Sequence, residues 1–109
     1  MKNSKRARLE ARDWRVGAAA EFLGLTPEEA AFVETKLALS QCVRDRRTAQ
    51  NISHAALAKR LNSSQSRVAK MEAADATVSV DLLLRALFAL GAKLRNLADA
   101  IQTRRSAAA

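Results

Sequence analysis

His54-Ala55-Ala56-Leu57-Ala58-Lys59-Arg60-Leu61-Asn62-Ser63-Ser64-Gln65-Ser66-Arg67-Val68-Ala69-Lys70-Met71 decides the fold. Ser53, just before it, can cap a short helix reaching Leu61, and Ser64 can cap a second from Gln65 to about Ala73. Between them Asn62-Ser63-Ser64 makes a tight turn, and Asn is the non-glycine residue that best tolerates the left-handed backbone. Two helices crossing closely at roughly 90 to 120° need a small side chain at the crossing and apolar side chains around it. Ala58 supplies the first; Leu57, Leu61, Val68 and Met71 supply the rest. That is the layout of a helix-turn-helix.

Working outward, Thr26-Pro27-Glu28-Glu29 is a strong helix start. Thr26 is the N-cap, Pro27 sits where no N–H is needed, and Glu29 completes a capping box. The helix is predicted to run to about Arg47. Phe32, Leu39, Cys42 and Val43 form its inward face, while Val33 and Leu37 lie on a second apolar face. Ser79 caps a helix that Gly91 ends, and Val80-Leu90 carries only two charges, so more than one neighbour must cover it. A second subunit is the expected neighbour, with Leu83, Leu87, Val33 and Leu37 as the expected dimer interface. Leu94, Leu97, Ala98 and Ile101 repeat at i, i+3, i+4 and i+7, marking a last amphipathic helix. Upstream, Leu9-Leu23 carries Trp14, Val16, Phe22 and Leu23 as anchors of a short helix that reads as a lid. The expected organisation is a basic flexible arm (1-12), a DNA-binding-type helical domain with an N-terminal lid (13-102) and a polar tail (103-109).

Length and composition agree with an all-α protein, a compact five- to six-helix bundle. A chain of 109 residues that is 49% hydrophobic fills one modest core. Three Gly, one Pro and 4% aromatic content favour helices over a sandwich or barrel. The single Cys42 cannot form an internal disulfide, and neither a leader pattern nor a run of about 18 apolar residues is present. A reducing cytoplasm, with no membrane, is the expected setting.

The formal charge of +8 points to an anionic partner, nucleic acid first. Six basic groups face two acidic ones in residues 1-15, one faces four in 16-40, and seven face three in 41-75. Two basic zones thus flank an acidic one. Solvated helix faces are the plain alternative. Catalytic and metal roles find no support: one Cys and one His give no ligand set, and no nucleophile motif, phosphate loop or cofactor signature is present. No enzyme activity and no cofactor are expected.

The block NISHAALAKRLNSSQSRVAKMEAAD resembles the DNA-binding region of the XRE family, the phage repressor and Cro-like helix-turn-helix proteins. With the flanks WRVGAAAEFLGLTPEE and VSVDLLLRALFALG, it looks most like the antitoxin-type members of host-inhibition-of-growth toxin-antitoxin modules, over about residues 14 to 101. The resemblance implies a dimer on an inverted-repeat operator of double-stranded DNA. It places Gln65, Ser66, Arg67 and Lys70 as base-reading side chains. The chemistry agrees: Gln pairs with adenine, Lys with guanine, and Ser reads either. His54, Lys59, Arg60 and Ser64 are expected at phosphates, and Lys2, Lys5, Arg6 and Arg8 along the backbone or in a minor groove. Three positions depart from the pattern: His54 stands for the usual Gln, Asn62-Ser63 for Gly and an apolar residue, and Ala74 for Gly.

The implied function is an autorepressing antitoxin, nucleoid-associated in the cytoplasm, with a ribonuclease-type toxin as partner. The alternative is a stand-alone XRE-type repressor. A protein-interaction module that chiefly masks a toxin, and a nonspecific RNA- or nucleoid-binding protein, are further readings. Glu21, Glu28, Glu29 and Glu34 beside Trp14, Phe22 and Leu23 form a surface that would repel DNA and suits a basic toxin.

Overall fold

The computed structural model describes residues 23–108, with side chains described through Thr103. The expected arm, and the lid up to Phe22, lie outside the described residues. Five helices and no strand make up the described part: α1 (Pro27–Ala49), α2 (His54–Arg60), α3 (Gln65–Glu72), α4 (Val80–Ala89) and α5 (Leu94–Ala108). The all-α expectation is met, and the last helix runs through most of the expected polar tail.

The first four helix starts each have a local cause. At α1 the capping box is complete: the Glu29 N–H donates to Thr26 Oγ1 at 3.1 Å, and the Thr26 N–H donates to Glu29 Oε1 at 2.8 Å. Ser53, Ser64 and Ser79 cap α2, α3 and α4 by accepting from the N–H groups of Ala56, Arg67 and Leu82.

The helix ends share one device. Asn51, Asn62, Ala74 and Gly91 follow α1 to α4 with φ of 56°, 52°, 55° and 84°. In each case the next N–H reaches back five residues to a helix carbonyl: Ile52 to Arg47, Ser63 to Ala58, Asp75 to Lys70 and Ala92 to Leu87. These are Schellman stops, which satisfy carbonyls the helix leaves over. Asn and Gly suit the left-handed position. Ala74 occupies it against its steric preference.

The long α1 is the spine, packing against α3, α4 and α5, while α2 packs on α3. One core joins Leu39 and Val43 of α1, Leu57 and Ala58 of α2, Val68 and Met71 of α3, and Leu83, Ala86 and Leu87 of α4, with Val78, Leu90 and Leu97 closing it. Three expectations need correction. Leu83 and Leu87 are fully buried within the single chain, so they offer no surface to a second subunit. The apolar α4 is covered by its own neighbours, above all α1, with Phe88 left half-exposed. Phe32 is exposed although it was expected inward, and Leu94 at the start of α5 is exposed as well.

Candidate nucleic-acid interface

The α2-turn-α3 unit forms because its inward residues are short and apolar. Leu57, Val68 and Met71 are completely buried, Ala58 is buried at the crossing, and Leu61 caps the first helix half-buried. This packing fixes which face of α3 points outward. Gln65, Ser66, Arg67 and Lys70 are all exposed on it. Lys59 and Arg60 are exposed at the end of α2, and Ser64 is exposed at the turn, its oxygen engaged as the α3 cap. Among the described residues, none of Lys59, Arg60, Arg67 and Lys70 enters an ion pair, so their charges face solvent.

The far end of α3 is tied to the spine by groups that sequence reading did not connect. Arg47, near the end of α1, donates from Nε to Glu72 Oε2 at 2.5 Å and from Nη2 to Oε1 at 3.0 Å. Its Nη1 donates to the Ile52 carbonyl at 2.9 Å, so one guanidinium joins α1, the loop before α2 and the end of α3. Burial alone pushes the Glu72 carboxyl upward, but the hydrogen bonds from Arg47 and His54 outweigh it and hold the group below the ordinary glutamate range. The same hydrogen bond to Glu72 raises the already high value of Arg47. A signal for the pair existed in the spacing. Arg47 lies four residues after the buried Val43, and Glu72 four after the buried Val68, placing opposite charges at the edge of one core.

His54 lies in this cluster: its Nε2 is 3.1 Å from Glu72 Oε1. One ring nitrogen is therefore engaged inside the protein. Beyond α3, the Lys36 ammonium of α1 donates to the Asp75 carbonyl at 2.9 Å, and Asp75 Oδ1 accepts from the Thr77 N–H and hydroxyl. Those Thr77 hydrogen bonds hold the Asp75 carboxyl below its usual range. The loop after α3 is thus braced from the spine.

Of the expected dimer residues, Val33 is exposed and Leu37 half-buried on α1, apart from the interior Leu83 and Leu87. Cys42 is a half-buried thiol pushed upward by burial. Among the described residues, no group of three or more His, Cys, Asp or Glu could hold a metal ion, and no helix is long and apolar enough to cross a membrane.

Two short helices locked at a small-residue crossing, the second with a polar, cationic outer face, define a DNA-binding helix-turn-helix protein. Residues 38–107 match the family described as helix-turn-helix domain, and the chain belongs to that family. The match spans the second half of α1 and nearly all that follows, including the whole α2-turn-α3 unit. No curated protein and no solved structure matches the chain.

Proposed function

We propose that this chain is a sequence-specific transcriptional regulator that reads double-stranded DNA as a homodimer. The observation that carries the reading is the outward face of α3, where Gln65, Ser66, Arg67 and Lys70 are exposed together while Val68 and Met71 anchor the opposite face. Placed in a major groove, Gln65, Ser66 and Lys70 reach base edges, and Arg67 reaches a base or a nearby phosphate. Lys59, Arg60, Ser64 and His54 hold the flanking phosphates, and the basic residues of the 1-12 arm add backbone contacts. The protein acts by occupying DNA in the cytoplasm, without cofactor or catalysis.

Two copies bind an inverted repeat, their reading helices about 34 to 36 Å apart. With Leu83 and Leu87 interior, the pairing surface is assigned to exposed apolar side chains, Phe88 of α4 and Leu94 of α5, with Val33 and Leu37 as the other available patch. The test is selection of bound fragments from a random duplex pool. An enriched inverted repeat supports the reading, and an unenriched pool contradicts it.

The finer reading is an autorepressing antitoxin, favoured by a surface that DNA binding leaves unused. On the first half of α1, exposed Glu28 and Glu29 and half-buried Glu34 lie among exposed Leu23, Phe32 and Val33, beside a shallow groove between Ala31, Ala38 and Ile101 of α5. An acidic and apolar surface suits a basic protein such as a ribonuclease toxin. Loss of toxin neutralisation on Phe32→Asp, with DNA binding retained, supports this reading. A neighbouring gene product without toxicity leaves the protein a stand-alone repressor.

A further inference from the structure

His54 is the chain's one histidine, and it stands at the first residue of α2 with its side chain 32% exposed. Its Nε2 is 3.1 Å from Glu72 Oε1. The same carboxylate takes two hydrogen bonds from Arg47, which keep it ionised. An ionised carboxylate only accepts, so Nε2 carries the hydrogen of the His54–Glu72 contact. A neutral imidazole has one N–H. Its Nδ1 is then a bare acceptor, and among the described residues it makes no hydrogen bond. Such a ring meets a phosphate oxygen lone pair to lone pair. Only the imidazolium, with hydrogen on both nitrogens, can keep Glu72 and donate to a phosphate.

We infer that DNA binding by this chain takes up a proton at His54, with Glu72 as the positioning residue that fixes which ring nitrogen is left for the phosphate. The inference rests on the DNA-binding reading above. Every packed element contributes to the balance. Glu72 of α3 faces the ring directly, and Arg47 of α1 is bound to that same carboxylate. On its own helix, Lys59 and Arg60 stand at the far end. The phosphate is the group that tips the balance. The Gln that the family resemblance implies at this position donates through its amide without titrating, so the coupling belongs to this chain's own residue.

Fluorescence anisotropy with a labelled mixed-sequence duplex, at fixed ionic strength from about pH 8 to about pH 5.5, tests the coupling. One proton taken up per chain makes wild-type affinity rise by up to about tenfold per pH unit as pH falls, before levelling. His54→Gln binds with a flat profile over the same range. Parallel profiles for the two proteins overturn the inference alone, whereas no binding by wild type at any pH overturns the DNA-binding reading and the inference with it. A second measurement needs no variant. With a single histidine, the imidazole NMR titration has one set of ring signals, and its midpoint moves up when duplex is added. An unmoved midpoint overturns the inference.

Discussion

Arg47 and Glu72 meet through two hydrogen bonds, 2.5 Å and 3.0 Å long, that join the end of the 23-residue spine to the last residue of α3. Their side chains are only 13% and 7% exposed, so each charge depends on the other for its solvation. Removing one leaves a nearly buried charge without its partner. Glu72→Ala is expected to destabilise the fold by about 3 kcal/mol in denaturant titrations. Arg47→Ala should do the same, and the double substitution should destabilise less than the two losses added together.

The same pair gives stability a definite pH sense. Glu72 is held below the ordinary glutamate range, so its contribution is complete above about pH 4.3 and is lost as pH falls through its lower folded value. Wild type should therefore lose stability on acidification faster than Glu72→Gln, and the gap between them should shrink as pH drops. A constant gap from neutral to acid pH would contradict the assignment.

Ala74 is the one helix stop that sets backbone against side chain. At φ 55° its Cβ is crowded, while Asn51, Asn62 and Gly91 fill the equivalent places with better-suited residues. Ala74→Gly should raise stability by about 1 kcal/mol. Gly91→Ala should lower it by a similar amount, since its φ is 84°. Thermal unfolding of the two variants in opposite directions is the expected result.

Helix α4 sets a core residue beside an exposed aromatic one. Leu87 is fully buried and Phe88 is 49% exposed. Leu87→Ala should cost about 2 to 5 kcal/mol of stability whether or not the protein pairs. Phe88→Ser should leave folding nearly unchanged and shift light-scattering mass toward the monomer. A dimer unaffected by Phe88→Ser and Leu94→Ser together places the pairing surface elsewhere.

Much of this architecture was legible because its signals are local. The capping box at Thr26-Glu29, the caps at Ser53, Ser64 and Ser79, and the left-handed Asn62 each depend on residues a few positions apart. What stayed hidden depends on distance across the fold. A helix as apolar as Val80–Ala89 suggested a second subunit, yet α1, far away in sequence, buries Leu83 and Leu87. Spacing puts Arg47 and Glu72 each one turn beyond a buried valine, but with 25 residues between them nothing local joins the two. The sequence points His54 only to a phosphate for the same reason. Its contact with Glu72 spans the turn, and only the packed geometry shows one nitrogen already engaged.

The central claim is that the exposed face of α3 selects the bases, and selection from a random duplex pool with paired variants tests it most directly. Gln65→Ala combined with Lys70→Ala should relax the preference at two or more positions of each half-site, each substitution costing roughly 1 to 3 kcal/mol on the preferred duplex. Lys59→Ala should weaken all duplexes alike and lower the salt slope by about one while leaving the preferred sequence unchanged. If the Gln65, Lys70 double variant selects the same sequence as wild type, α3 is not the reading helix and the account is wrong.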